Sequence, residues 1–253
     1  MGFYIHNMKK GSDGRMEETR MPLILMNRLS KTYGATRALN EVSLRIPEGR
    51  IIGVLGPNGC GKTTMMKILA GLIPQYQGSV FVGGEMPSEK TKEIVSFLPD
   101  MDFLPGNMNT LDAITYMRTF YGDFDENTAY QMLQEFALDP AQKLKTMSKG
   151  MREKVQLILT MSRRARLYLL DEPLGGIDLN ARDAILNSIM KNHQSGSTLM
   201  ISTHLIHDVE RIFDDVILLD RGQVLSYHNV ADLTSQTGNS LETYFKEVFR
   251  NVW

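Results

Sequence analysis

One glycine-rich segment restricts the possible folds of this chain more than any other feature. The segment reads Gly56-Pro57-Asn58-Gly59-Cys60-Gly61-Lys62-Thr63. It matches the pattern G-x-x-x-x-G-K-[ST], in which glycines allow successive backbone N–H groups to point at one anion. An apolar run at 50–55 precedes it and a helical pattern at 63–70 follows it. Because a helix N-terminus carries partial positive charge, the segment predicts a phosphate-binding loop in an α/β protein.

The residue types of this loop predict binding of ATP with Mg²⁺. Lys62 is expected to bridge the β- and γ-phosphates, and the Thr63 hydroxyl to ligate Mg²⁺. We expect the other residues of the loop, together with Thr64, to contact the nucleotide. Cys60 is open to two interpretations: a thiol activated by the helix N-terminus, or a passive residue at a variable position. We favour the passive one.

A second constellation is an apolar run that ends in two carboxylates. It reads Leu167-Tyr168-Leu169-Leu170-Asp171-Glu172-Pro173. In a parallel sheet such a strand is buried, and its carboxyl end opens onto the ligand crevice. Asp171 is then expected to hold Mg²⁺ through its water shell, and Glu172 to orient or deprotonate the attacking water. The alternative is a solvated turn, but a phosphate loop needs an acidic partner for its metal, which favours the catalytic interpretation.

The overall charge bears on the kind of partner. The 253 residues include 28 basic and 29 acidic side chains, giving a formal net charge of -1. This balance argues against a broad nucleic-acid surface, which needs clustered Lys and Arg. A local basic run, Arg163, Arg164 and Arg166, precedes an apolar strand and is interpreted as a solvated helix end. The single cysteine allows no intrachain disulfide, as is usual in a reducing cytosol.

The order of patterns along the chain predicts a parallel-sheet core that carries a helical lobe. Residues 1–21 are polar and expected to form a flexible extension, and 22–253 are expected to form one domain. Alternating residues over 23–47 predict antiparallel strands, whereas the segment of about 100–165 is mostly helical. Strand and helix patterns alternate again beyond it. The apolar runs are far shorter than the roughly 18 residues that span a bilayer, so any membrane connection is expected through another chain.

Apolar residues of the helical lobe fall into two groups. Tyr116 and Phe120 lie at helical spacing with either Met117 or Tyr121, and we expect most of these residues to belong to the core of the lobe. Met101 and Phe103 lie in the preceding loop and are candidates for a groove. Methionine-rich apolar surfaces suit the docking of a short amphipathic helix.

Further short elements occur in order around the two motifs. They are Tyr33 before a glycine, Met147-Ser148-Lys149-Gly150-Met151, Gly175-Gly176-Ile177-Asp178, and His204 after a predicted strand. Together with the phosphate loop and the acidic pair, they resemble the ABC ATPase family over about 23–224. Ser148 and Gly150 match the family signature, usually written LSGGQ. Lys149 and Met151 depart from it.

The resemblance implies a P-loop NTPase (RecA-like) core with an antiparallel β subdomain and an inserted helical subdomain. It implies that Tyr33 stacks on adenine, that Asp178 belongs to the D-loop, and that His204 is the catalytic switch histidine. It also implies head-to-tail pairs, homodimers or heterodimers of ATPase subunits. In such a pair, Ser148 and Gly150 of one copy cap the ATP held by the other.

One position departs from the family pattern. The family places Gln after the strand read here at 95–99, and this chain has Asp100. Aspartate is shorter and charged, so we expect Asp100 to ligate a hard cation at a different reach.

The function implied is that of an ATP-binding and ATP-hydrolysing subunit that energises a separate transmembrane permease. The signature, Asp100 and the segment 121–125 look most like bacterial drug- or peptide-efflux cassettes, which implies an exporter. Such a subunit is cytoplasmic and peripheral, held on the inner face of the cell membrane by its permease. The alternative is a soluble ABC ATPase acting on nucleic acid or ribosomes. Those members resemble two cassettes in one chain or carry a long coiled coil, so no nucleic-acid partner is expected.

Overall fold

The computed structural model describes residues 21–250. The predicted flexible extension at 1–21 therefore lies outside the described residues, apart from Met21, and so do residues 251–253. The described part of the chain forms two sheets and a block of helices.

The smaller sheet is antiparallel. Its strands are β1 (Ile24–Tyr33), β2 (Thr36–Ile46) and β4 (Gln77–Val82), in the order β2-β1-β4. Apolar and polar residues alternate along β2, so Val42, Leu44 and Ile46 are buried while the residues between them are exposed. The prediction of antiparallel strands over 23–47 is confirmed.

The larger sheet forms the centre of the molecule. Its strands are β3 (Ile51–Leu55), β5 (Val95–Leu98), β6 (Leu167–Asp171), β7 (Thr198–Thr203), β8 (Asp215–Asp220) and β9 (Gln223–Asn229). They lie in the order β5-β6-β7-β3-β8-β9, and all neighbours are parallel except β8 and β9. Strands β6 and β7 are buried along their whole length, as expected for strands covered on both faces.

Helices cover the larger sheet and fill the segment between β5 and β6. Helix α1 (Lys62–Leu69) follows β3, and α2 (Thr110–Phe120), α3 (Glu126–Glu135) and α4 (Lys149–Met161) form a helical block. The remaining helices are α5 (Leu179–Asn192), α6 (Ile206–Val209), α7 (Val230–Thr237) and α8 (Leu241–Val248). The sequence pattern over 205–213 predicts one helix, but the α-helix ends at Val209 and a 3₁₀ turn follows it.

Two apolar clusters lie on opposite faces of the larger sheet. Tyr168 and Leu170 of β6 belong to the cluster shared with the helical block. Leu167 and Leu169 of the same strand belong to the cluster shared with α1 and the smaller sheet. Successive side chains of a strand point to opposite faces, so each residue of β6 contributes to one cluster only. The strand is thus anchored from both sides up to Asp171.

Arg163 is not part of a solvated helix end, so the interpretation of the basic run is wrong at this position. Its side chain is only 3% exposed and pairs with Asp123 at 2.9 Å. It donates a further hydrogen bond to the carbonyl of Val95 and lies 3.9 Å from the centroid of the Tyr121 ring. The five planar donors of a guanidinium can serve several acceptors at once, which a sequence pattern does not reveal. The other two arginines of the run are exposed, as expected.

The outer face of α2 also differs from expectation. Tyr116 and Phe120 are 47% and 64% exposed, so the prediction that they belong to the core is wrong. The buried face of α2 consists instead of Ala113, Ile114 and Met117. Spacing alone could not distinguish the two faces because both carry apolar residues. The two exposed rings contact each other, with their centroids 4.6 Å apart.

Candidate functional site

The site lies where four parallel strands end. Strands β3, β5, β6 and β7 point in the same direction, so their carboxyl ends meet at one edge of the larger sheet. The phosphate loop follows β3, and His204 follows β7. Asp171 is the last residue of β6, and Glu172 comes directly after it. The sheet order brings these elements together because β7 lies between β3 and β6.

The phosphate loop requires its glycines. A Cβ atom on Gly56 would lie 2.1 Å from the carbonyl oxygen of Leu219, and one on Gly61 would lie 2.4 Å from that of Ala38. Gly61 also has φ of 115°, a conformation that residues with a side chain rarely adopt. The loop is therefore held tightly against its neighbours. The loop leads directly into the N-terminus of α1, which begins at Lys62.

Lys62 is buried at the mouth of the loop. Its Nζ donates hydrogen bonds to the carbonyls of Gly56 at 2.8 Å and Pro57 at 3.2 Å. These neutral carbonyls are weaker acceptors for an ammonium group than phosphate oxygens are. The first turn of α1 contains no acidic residue that would repel an anion or compete with it for the helix N-terminus. The loop thus presents a positively charged side chain and a helix N-terminus to the same space.

Asp171 is buried with one oxygen free of partners. It is 1% exposed, and its Oδ1 accepts a hydrogen bond from the Ser202 hydroxyl. Its Oδ2 has no hydrogen-bond partner among the described residues. Burial raises the pKa of Asp171, while the nearby hydroxyls of Ser202 and Thr63 act in the opposite direction. A buried carboxylate with an orphaned oxygen beside a threonine hydroxyl is a suitable partner for a hard cation.

The surroundings of Asp171 fit Mg²⁺ that arrives with phosphates. Within residues 21–250, no cluster of three or more His, Cys, Asp or Glu side chains is arranged to hold a metal ion. Mg²⁺ is usually bound by one or two protein groups together with phosphate oxygens, so Thr63 and Asp171 form a sufficient donor set. Asp100 lines a cavity of about 130 Å³ together with Asp171 and Glu172, and its charge contributes to the raised pKa of Asp171.

Glu172 lies between the phosphate loop and the end of β7. One carboxylate oxygen is 3.0 Å from Nδ1 of His204, and the other is 3.8 Å from Nζ of Lys62. The residue has φ of 50°, in the left-handed region that costs about 1–2 kcal/mol for a residue with a side chain. Its backbone N–H donates to the carbonyl of Ser202 at 3.0 Å and to the Ser202 hydroxyl at 3.1 Å. Strain of this kind is characteristic of functional sites.

The structure does not bring the signature to the phosphate loop of the same chain. Ser148 is exposed and caps α4, accepting a hydrogen bond from Met151 at 3.2 Å. Among the described residues, no hydrogen bond or ion pair joins Ser148 to the phosphate loop. Asp178 is also exposed and caps α5. Tyr33 is 47% exposed at the end of β1, with a lysine over its ring.

Comparison with known proteins identifies the family. A family model described as ABC transporter matches residues 39–175, more than half of the chain. The chain belongs to the ABC transporter ATP-binding family. Its likeness to members of the family extends well beyond the matched segment.

An uncharacterised ABC transporter ATP-binding protein of Methanocaldococcus jannaschii is 31% identical over 217 residues, covering 84% of this chain and 79% of the relative. A lantibiotic transport ATP-binding protein of Streptococcus pyogenes is 30% identical over 206 residues, covering 80% of this chain and 89% of the relative. A solved structure of the ATP-binding subunit of an ABC transporter superposes with a TM-score of 0.80 at 25% identity, covering 89% of this chain and 98% of that one.

These likenesses confirm the predicted fold, a P-loop NTPase cassette with a parallel-sheet core. They also confirm the predicted enzyme class, because ABC cassettes hydrolyse ATP; this chain is an ATP-binding, ATP-hydrolysing subunit of the ABC transporter type. None of the helices within residues 21–250 has the length and apolar character needed to cross a membrane.

Two polar residues of the ABC cassette were missed by the sequence reasoning. Ser202 touches both members of the acidic pair, although nothing in its sequence position indicates this contact. Glu153 of α4 has a buried Oε2 with no hydrogen-bond partner within residues 21–250, and burial raises the pKa of this carboxyl. Its two carboxylate oxygens lie within 2.1 and 2.3 Å of where a Cβ on Gly176 would be. Helix α4, which begins within the signature, therefore packs directly on the loop that follows Glu172.

Cys60 fits the passive interpretation. The side chain is 4% exposed, and burial raises the pKa of its thiol. A protonated, buried thiol is a poor nucleophile.

Proposed function

We propose that this cassette hydrolyses MgATP at the edge of its larger sheet and works in pairs to drive a separate transmembrane permease. The observation that supports the catalytic part most strongly is the position of the Glu172 carboxylate. It lies between Lys62, 3.8 Å away, and His204, 3.0 Å away. A carboxylate held between a phosphate-binding lysine and a histidine is suited to act on water next to a bound phosphate.

In this proposal the backbone of the phosphate loop and Lys62 bind the nucleotide phosphates. Lys62 exchanges two backbone carbonyls for phosphate oxygens, which form stronger, charge-assisted hydrogen bonds. Thr63 and Asp171 would hold Mg²⁺, which would supply positive charge next to the phosphates. Asp100, which lines the same cavity as Asp171, would supply a further oxygen ligand.

Glu172 orients the attacking water and accepts its proton, and His204 holds the Glu172 carboxylate in position. The exposed ring of Tyr33 offers adenine the face that Lys31 does not cover. Each of these roles uses a side chain as it lies in the structure, with no rearrangement of the sheet.

The site of one copy is incomplete, and a second copy completes it. Ser148 and Gly150 lie at the N-terminus of α4, within a helical subdomain of about 100–165. The N-terminus of α4 favours negative charge, so it is suited to cap a γ-phosphate held by another copy. Asp178 at the N-terminus of α5 lies on the loop that follows Glu172 and would face the same interface. The pair consists of two copies of this chain or of this chain and a related one.

The membrane role is supported by the names of relatives. One of the relatives is named a lantibiotic transport ATP-binding protein, which supports an exporter of peptide-like or drug-like compounds. The permease would hold this subunit on the inner, cytoplasmic face of the cell membrane. The alternative of a soluble ATPase acting on nucleic acid or ribosomes is not favoured, since the net charge is only -1.

An exposed apolar face of the helical block is the proposed contact with the permease. Met101 and Phe103 are 61% and 43% exposed, and the rings of Tyr116 and Phe120 are exposed as well. Exposed apolar side chains in such numbers are typical of interaction surfaces, and a mixture of methionine and aromatic residues suits a short amphipathic helix.

Replacing Phe103 with aspartate tests this contact. We expect recovery of the subunit in the membrane fraction of its own cells to fall by about tenfold or more, because a charge would be buried against the permease. The Kd for ATP should not change, since the Phe103 side chain is exposed and its backbone N–H donates to Gln156 of α4, not to the phosphate loop. Leu225→Asp is the matched control, because Leu225 is also exposed (48%) but lies on β9 at the opposite edge of the sheet. Equal losses of recruitment and ATP affinity would mean that Phe103 is structural, and no loss of either would place the contact elsewhere.

A further inference from the structure

Ser202 contacts both members of the acidic pair. It lies near the end of β7, directly opposite Asp171 in the register of β6 and β7, and it is fully buried. Its hydroxyl donates a hydrogen bond to Oδ1 of Asp171. The hydroxyl oxygen of Ser202 also accepts a hydrogen bond from the backbone N–H of Glu172 at 3.1 Å. That N–H donates as well to the Ser202 carbonyl at 3.0 Å.

The hydroxyl can hold Asp171 in only one orientation. A serine hydroxyl has one proton, and here it is directed at Oδ1. Oδ2 of Asp171 is consequently the oxygen left without a partner among the described residues. Rotation of the carboxylate would break the hydrogen bond that the Ser202 hydroxyl donates to it. The free oxygen therefore keeps a fixed direction.

The same hydroxyl supports the unusual backbone of Glu172. A residue with a side chain rarely adopts φ of 50°, and a local constraint is needed to maintain it. The N–H of Glu172 is held by two acceptors of Ser202, one from the side chain and one from the main chain. This conformation turns the chain sharply at the end of β6 and directs the Glu172 side chain toward His204.

The neighbouring hydroxyl does not share this role. Thr203, the last residue of β7, accepts a hydrogen bond from the backbone N–H of Leu205 at 2.9 Å and so stabilises the following turn. Ser202 is thus the residue of β7 whose side chain links the strand to the acidic pair.

We propose that Ser202 is a positioning residue for ATP hydrolysis: one hydroxyl orients the free oxygen of Asp171 toward the cation and fixes the direction of the Glu172 side chain. The inference rests on the proposed roles of Asp171 and Glu172. It assigns to Ser202 no contact with the nucleotide. Its loss should therefore affect the chemical step and the cation, and leave nucleotide affinity unchanged.

The test is the Ser202→Ala variant, assayed for phosphate release and for ATP binding. We expect kcat to fall by about 10- to 100-fold, the size of effect that follows from losing a hydrogen bond to a charged group. The KM for ATP should stay within about twofold, because Ser202 makes no contact that binds the nucleotide. The Mg²⁺ concentration giving half-maximal rate should rise by about tenfold, since Asp171 is no longer held in one orientation.

Ser162→Ala is the matched control. Ser162 is equally buried, and its hydroxyl donates to the carbonyl of Ile158 at 2.7 Å, far from the acidic pair. It should lower thermal stability without changing kcat or the Mg²⁺ requirement. If Ser202→Ala folds poorly, Ser202→Cys keeps a side chain of similar shape but donates only weakly, and the same separation of kcat from KM is expected.

Two outcomes would overturn the inference. One is an unchanged kcat and Mg²⁺ requirement in Ser202→Ala. The other is a loss of kcat matched by equal losses of ATP affinity and thermal stability, which would make the residue merely structural. Glu172→Gln assayed in parallel separates this inference from the proposed function. If Glu172→Gln loses turnover and Ser202→Ala does not, only the role of Ser202 is wrong.

Discussion

Replacement of Glu172 by glutamine is expected to lower ATP turnover by about 10²- to 10⁴-fold, the range associated with loss of a general base. Glutamine has the same shape, so the contact with His204 can persist and the left-handed turn after β6 is undisturbed. An amide cannot accept the proton of the attacking water. MgATP should bind as before, because the loop and Lys62 are unchanged, and the variant should accumulate as an ATP-bound pair.

Phosphate release, ATP affinity and size in solution of the purified variant provide the measurement. Glu210→Gln is the control, since Glu210 accepts a hydrogen bond from the backbone of Glu242 in the C-terminal part of the chain, away from the site. It should hydrolyse ATP at the parental rate. Parental turnover in Glu172→Gln itself would show that another group activates the water.

Replacement of Lys62 by alanine is expected to weaken MgATP binding by about 100-fold, since two charge-assisted hydrogen bonds to phosphate are lost. The fold should survive, because the hydrogen bonds that Lys62 donates go to the Gly56 and Pro57 carbonyls of its own loop. Hydrolysis at ordinary ATP concentrations should disappear with binding.

Titration with ATP, followed by calorimetry or a fluorescent analogue, measures this effect. Lys67→Ala on the last turn of the same helix serves as the control, because it removes a lysine from α1 at the end remote from the phosphates. Lys62→Ala with parental ATP affinity would contradict the assignment of the phosphate loop.

Local motifs made the phosphate loop and the acidic pair predictable from the sequence. The loop is defined by adjacent residues, and its strand–turn–helix context is short enough to recognise. Alternation over 23–47 likewise predicted the smaller sheet, because period two is a property of each strand alone.

Features that depend on distant contacts could not be predicted in this way. Strand β9 has no fully buried residue, so its pattern carries no clear period, and α7 and α8 are each only eight residues long. Arg163 is buried because acceptors from three other segments surround it. The contacts of Ser202 depend on the register between β6 and β7, and the left-handed conformation of Glu172 has no signal in its residue type.

The exposed signature points to a site made by two chains, and this is the centre of the proposed function. Ser148→Arg should block capping of the other copy's ATP, while its own Lys62 still binds nucleotide. Lys62→Ala has the reverse defect: it presents an intact Ser148 but binds no ATP. Each variant alone should be almost inactive. A mixed pair, however, contains one site with both intact residues.

The most direct measurement is ATP hydrolysis by mixtures of these two variants at several ratios, with formation of mixed pairs verified. At equal amounts, half of the pairs are mixed and each has one intact site, so about a quarter of the parental rate is expected. Activity should peak at the equal ratio and vanish toward either pure variant. No recovery at any ratio, with mixed pairs present, would contradict the shared site.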